Sequence, residues 1–233
     1  MAQPPDINDT FLREVDENLR RDQMADFAKK YSGVMIAVLA LFLGAAGGFI
    51  YWQNYKHQQS EKQVEQLAQT FKDISVGKLS GAPKELDDLA DSHSKAVRAT
   101  ALFARAAVAL QQNDAKLAIS TYRDISGASS LPRPYRDAAL IRQTALEFDS
   151  LKPDEVIARM KPLAEPGNPW FGSAGEMTAM ALIKQGKNAE AGQLFGKMAR
   201  DKQVPDSLRA RFVQIASTLG VDASGAMPQA PAQ

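Results

Sequence analysis

Residues 95–126 read KAVRATALFARAAVALQQNDAKLAISTYRDIS. The first part is rich in Ala, free of Gly and Pro, and places Leu102, Ala106, Ala109 and Leu110 at the three- and four-residue spacings of one helical face. Asn113 and Asp114 make a tight turn, and a second helix follows with Ala118 and Tyr122 one turn apart. Residues 177–200, MTAMALIKQGKNAEAGQLFGKMAR, repeat the design, with Gly186 and Lys187 at the turn and Ala191 and Phe195 in the places of Ala118 and Tyr122. Between them, residues 136–165 supply a third pair whose second helix opens at Pro153, where a missing N–H costs nothing. Second-helix positions Ala118, Val156 and Ala191 are separated by 38 and 35 residues. The expected architecture is therefore a solenoid of helix pairs.

This period and pattern resemble the tetratricopeptide repeat, whose consensus has a large apolar residue early in helix A, a small one four later, a turn, then Ala and an aromatic four apart in helix B. Leu102, Ala106, Asn113-Asp114, Ala118 and Tyr122 match it. In the last repeat Ala179, Gly186, Ala191 and Phe195 match, while Gly175 stands where a large residue is expected. The middle pair matches loosely, leaving its register open. A closing helix opens at Pro205 and Asp206 and carries Leu208, Phe212, Ile215 and Leu219, which suits a helix covering the last apolar face of a solenoid.

Upstream, residues 53–75 lack Gly and Pro and carry Val64, Leu67, Ala68, Phe71 and Ile74, read as one face of a helix that Gly77, Gly81 and Pro83 terminate. A short helix follows over residues 85–92 with Leu86 and Leu89 inward. Before all of this stands GVMIAVLALFLGAAGGFIYW, residues 33–52, with no charged residue. At about 1.5 Å per residue it spans roughly 30 Å, the thickness of a bilayer's hydrocarbon core. Lys29, Lys30 and Tyr31 on one side and Trp52, Tyr55 and Lys56 on the other are residue types that anchor a helix at membrane interfaces. The fold class expected is all-α, one N-terminal transmembrane helix followed by a tetratricopeptide-like helix-pair solenoid. The chain divides into a cytoplasmic arm (1–32), the span (33–52), the repeat domain (53–220) and a disordered tail (221–233) poor in apolar residues.

Orientation follows from Lys and Arg near the span. Arg13, Arg20, Arg21, Lys29 and Lys30 precede it, against Lys56, Lys62 and Lys72 after it, so the N-terminus is expected in the cytoplasm. An uncleaved signal-anchor fits better than a cleaved leader, whose apolar region is shorter and whose cleavage site is absent after Trp52. The arm reads as an amphipathic helix from an N-cap at Asp9 or Thr10, either a docking helix at the membrane surface or a solvated lead-in. Within the span, Ala40, Gly44 and Gly48 share one face. Such a face lets helices approach closely, whether a partner's transmembrane helix or a second copy, and is also ordinary in membrane helices.

The whole arrangement, a short arm, a Gly-rich span ending FIYWQNYKHQQ and a small repeat domain opening on a long helix, is similar to the YfgM-like family of bacterial inner-membrane proteins over about residues 10–220. That resemblance implies an ancillary subunit of the SecYEG translocon, with a periplasmic domain that works with periplasmic chaperones and nascent secreted proteins, and no catalytic residues. The competing function is a scaffold for cell-envelope assembly or division complexes.

A net charge of +1 and 7% aromatic residues give no footprint for nucleic acid. Cysteine is absent, which excludes disulfides and thiolate metal sites. His57 and His93, the two histidines, lie on polar segments read as exposed and suggest neither a metal site nor a proton relay, no phosphate-binding glycine motif is present, and no cofactor is expected. The remaining candidate site is the face that helix A of each pair lines, where Arg98, Arg105, Arg142 and Lys184 are groove-edge cations or simply solvated charges. Phe103, Tyr135 and Trp170 read as core or helix-junction residues.

Overall fold

The computed structural model describes the backbone of residues 7–226 and the side chains of Lys29 and of residues 33–226 except 56, 57 and 59. Nine α-helices and a short 3-10 helix occupy these residues, with no strand among them: α1 (Ile7–Ser75), α2 (Ala82–Ala90), α3 (Lys95–Gln111), α4 (Ala115–Gly127), α5 (Arg133–Glu147), α6 (Pro153–Met160), α7 (Phe171–Lys184), α8 (Asn188–Arg200), α9 (Asp206–Thr218) and η1 (Ser224–Ala226). The chain forms two compact units, Met1–Glu61 and Lys62–Gln233, and α1 contributes to both.

In the first unit helix already runs through Asp9 and Thr10, so neither is the N-cap expected there. The apolar face anticipated for the arm, and His57, lie outside the described side chains. Residues 33–52 are helical and bare, with Leu41 75% and Phe42 69% exposed. This helix is long and apolar enough to cross a membrane, and none of its most apolar window is buried.

The second unit is a stack of helix pairs. α2 to α5 pack in sequence, as do α6 to α9. Its apolar interior is divided among four clusters, and α3, α5 and α7 each contribute to two of them. The division explains the composition: a helix covered on two sides needs small residues there, and Ala99, Ala101, Ala106 and Ala109 of α3 are all buried. The bulk is supplied where clusters are widest, by Phe171, Phe195 and Phe212 around α7, α8 and α9, with the last two rings 5.5 Å apart. Burying each ring is worth roughly 1.5–3 kcal/mol.

The ends of α1, α3, α7 and α9 share one local solution. In each the second residue beyond the helix takes a left-handed conformation: Gly77 (φ 80°), Asn113 (φ 60°), Gly186 (φ 76°) and Gly220 (φ 83°). The following N–H then reaches back to the carbonyl five residues earlier, Lys78 to Asp73, Asp114 to Ala109, Lys187 to Leu182 and Val221 to Ala216, at 2.8–2.9 Å. Each is a Schellman ending that satisfies carbonyls the helix would leave unpaired. Asp114 also caps α4, accepting from the Leu117 N–H at 2.9 Å.

Three expectations change in this unit. On the last turns of α1 the inward face is Leu67, Thr70 and Ile74, whereas Val64 and Phe71, expected beside them, are exposed. Thr70 can be buried because its hydroxyl lies 2.9 Å from both Glu85 Oε2 and the Gln66 carbonyl. The short helix expected over 85–92 is α2, which begins earlier, with Pro83 in its first turn. At the C-terminal end Val221 and Ala226 pack on the α7–α9 cluster and Ala223 is buried in it. Residues 221–226 thus belong with the folded unit, while 227–233, the rest of the expected disordered tail, lie outside the described residues.

Candidate interaction surface

The candidate face expected from sequence lies along the first helices of successive pairs, α3, α5 and α7, with α9 closing the series. Polar bridges tie them to their neighbours. Arg211 of α9 grips Glu176 of α7 with both carboxylate oxygens, at 2.6 and 2.7 Å. Lys184, at the end of α7, donates to Asp149 Oδ1 at 2.9 Å and stands 4.3 Å from the centre of the Phe148 ring. Met180, one turn before Lys184 on α7, is 42% exposed.

The four cations singled out from sequence sit in different surroundings. Arg105 pairs with Asp87 of α2 at 2.8 Å. Arg98 is half-buried, its Nε enclosed without a hydrogen-bond acceptor. Arg142 is exposed, and its charge partly offsets the burial that pushes the Tyr122 hydroxyl above the usual tyrosine range. Lys184 is committed to Asp149 and Phe148. In the apolar part of α1, Gly44 and Gly48 have open space where a Cβ would stand, and Ala40 is exposed. Phe103 meets Tyr122 with tilted rings 5.7 Å apart, and Tyr135 and Trp170 pack partly buried against core clusters at helix junctions.

Sequence reasoning missed the most connected carboxylate. Glu147, at the end of α5, accepts from Arg123 of α4 (3.1 Å), from Gln143 of its own helix (3.0 Å) and from Arg159 of α6 (2.5 Å). Burial pushes its pKa up, but the Arg159 and Gln143 hydrogen bonds and the charges of Arg159 and Arg123 outweigh this and hold it below the usual carboxylate range. Nothing local marks it, because its partners come from three helices. A polar cleft of about 220 Å³, lined by Gln63, Gln66, Gln69, Thr70, Glu85, Asp88 and Leu89 between α1 and α2, was equally invisible. Among the described residues no group of His, Asp and Glu side chains is placed to hold a metal ion.

The register of the pairs is unambiguous. Ala118, Val156 and Ala191 each occupy the fourth position of their helix, α4, α6 and α8, and all three are buried. The tetratricopeptide repeat-like domain family matches residues 25–216. The chain belongs to that family. In the middle pair Val156 stands where the other repeats have Ala, while α6 packs mainly on α7 rather than on α5. No curated protein and no solved structure matches the chain. Tetratricopeptide-like domains bind other proteins, so the membership points to protein partners in general.

Proposed function

We propose that this protein is a membrane-anchored, non-enzymatic interaction module: a single-span protein of the bacterial inner membrane, N-terminus in the cytoplasm, whose periplasmic repeat domain serves as an ancillary subunit of the SecYEG translocon and passes emerging proteins to periplasmic chaperones. The observation that carries this reading is the coupling in one chain of a tetratricopeptide-like unit with a fully exposed apolar helix. Leaving residues 33–52 bare in water would expose far more apolar surface than a soluble monomer tolerates, so a bilayer is the environment that fits them. The family match, residues 25–216, includes that helix. The excess of Lys and Arg before the span supports the orientation.

Crosslinking in native membranes tests the partners. Recovery of translocon subunits or periplasmic folding factors is expected. Recovery of neither, with envelope or division proteins in their place and concentration at midcell, would replace this reading with a scaffold.

A further inference from the structure

The polar cleft of about 220 Å³ between α1 and α2 has a lining that points to one kind of occupant. From α1 come three glutamines at three-residue spacing, Gln63, Gln66 and Gln69, together with Thr70; from α2 come Glu85, Asp88 and Leu89. Two of these groups are held from behind. Ser92, itself buried, donates to Gln63 Oε1 at 2.6 Å while accepting from the Ser94 N–H at 3.0 Å, so the free end of the Gln63 amide is its nitrogen. Thr70 is buried too, and its hydroxyl has a single proton for two acceptors at 2.9 Å, Glu85 Oε2 and the Gln66 carbonyl. One acceptor is left wanting a donor. The carboxylates also lack a counter-charge: among the described residues Asp87 is paired with Arg105, whereas Glu85 and Asp88 have no cationic partner. Gln66, Gln69, Glu85 and Asp88 are all exposed, so the cleft is open as it stands and no segment has to move to admit a ligand.

We propose that this cleft binds a lysine side chain on a peptide segment of a partner, with the ammonium between Glu85 and Asp88, the methylene stem on Leu89 and the adjoining peptide groups on the glutamine amides. Each part of the lining has its match. Residues three apart on a helix hold their Cβ atoms about 5–6 Å from one another, so Glu85 and Asp88 offer separate carboxylates to one compact ammonium with three donors. The planar fork of an arginine is satisfied by a single carboxylate and gains less from such a pair. Leu89, 3% exposed, supplies the apolar floor that a four-carbon stem covers. Primary amides carry donor and acceptor in one group and so suit the N–H and C=O of a backbone. The cleft draws no residue from α3, α5, α7 or α9, which makes it a binding place separate from the face along those helices, whatever surrounds the apolar helix.

The full chain in detergent micelles, isotope-labelled at its glutamine side chains and titrated with the peptide acetyl-Gly-Ser-Lys-Ser-Gly-amide, tests this by nuclear magnetic resonance. The lysine ammonium is the peptide's one charge. Saturable shifts are expected at the side-chain amides of Gln63, Gln66 and Gln69, and none with the same peptide acetylated on its lysine. Asp88→Asn, which breaks no hydrogen bond of the fold, weakens binding about two- to fivefold, the range of an exposed ion pair, and adding Glu85→Gln brings the loss to about tenfold. Asp87→Asn, on the same helix but outside the cleft, leaves binding unchanged. Saturation by the acetylated peptide, or no saturable shift with the charged one, overturns the proposal. Equal weakening by Asp87→Asn and Asp88→Asn does so as well, since it reduces the effect to a diffuse negative field. Tighter binding of the arginine counterpart would overturn the choice of lysine, and n-butylamine binding as tightly as the peptide would make the ligand a free amine instead. Displacement by magnesium chloride beyond that by sodium chloride of equal ionic strength would make the cleft a metal site.

Discussion

Gly175 shows how a single residue can look wrong in sequence and be required in space. It occupies the position where the repeat calls for a large side chain, yet a Cβ there would stand 2.5 Å from Met198 Sδ and 3.3 Å from Met198 Cγ. The volume expected on α7 is supplied from α8 by Met198, which is fully buried. Gly175→Ala is therefore expected to lower stability by about 1 kcal/mol, the helix-propensity gain of Ala partly offsetting overpacking of about 1–3 kcal/mol. Met198→Ala leaves a cavity and costs about 2–5 kcal/mol. The double variant should lose less than the sum in a thermal-unfolding cycle, and strict additivity would show that the two sites do not share the space. Asn113, at φ 60°, gives a second case. Asn113→Ala is expected to cost about 1 kcal/mol and Asn113→Gly close to nothing, because only the former adds strain in the left-handed region.

Among the elements, α6 is the shortest α-helix of the repeat unit, and Glu147 ties α5 to it through Arg159 and to α4 through Arg123. A carboxylate whose pKa is lowered by folding adds stability above the unfolded value, and that stability is lost as pH falls through the folded one. The Glu147 contribution is accordingly complete above about pH 4–5 and disappears below it. Glu147→Gln should lower the melting temperature at pH 7 and flatten its fall under acid, by an amount on the order of 1–2 kcal/mol at neutral pH. A wild-type and variant difference that stayed constant from pH 7 to pH 3 would mean that the Glu147 charge is immaterial. Of this cluster, sequence periodicity could show only that residues 136–165 form two helices. The meeting of residues 123, 143, 147 and 159 depends on how three helices cross, and no local spacing encodes a crossing.

For the whole molecule, the decisive contrast is between a unit that buries its apolar residues and a helix that leaves them bare. If the Ala40, Gly44 and Gly48 face docks on another membrane helix, Gly44→Leu with Gly48→Leu should leave insertion intact and weaken copurification of membrane partners. Unchanged copurification would reduce the span to a tether. A reporter fused after Gln233 that is active only in the cytoplasm should be silent, and activity would reverse the proposed orientation. The compact units divide at Glu61 rather than at Trp52, because the residues by which α1 joins the second unit, Gln63, Leu67, Thr70 and Ile74, all follow that point.

By itself the sequence determined whatever depends on period and on solvent: helices where apolar residues recur at three and four, pair boundaries at Asn113, Gly186 and Pro153, and an apolar helix where twenty residues carry no charge. These are one-dimensional signals, because helix formation, turns and transfer to a bilayer are local or additive properties. Tertiary structure alone decided which face of α1 turns inward, why Gly175 is a glycine, how Glu147 gathers two arginines, and where the chain goes after Gly220. Each of these depends on what a distant segment brings within 4 Å, and the same residue serves as core or surface according to that neighbour.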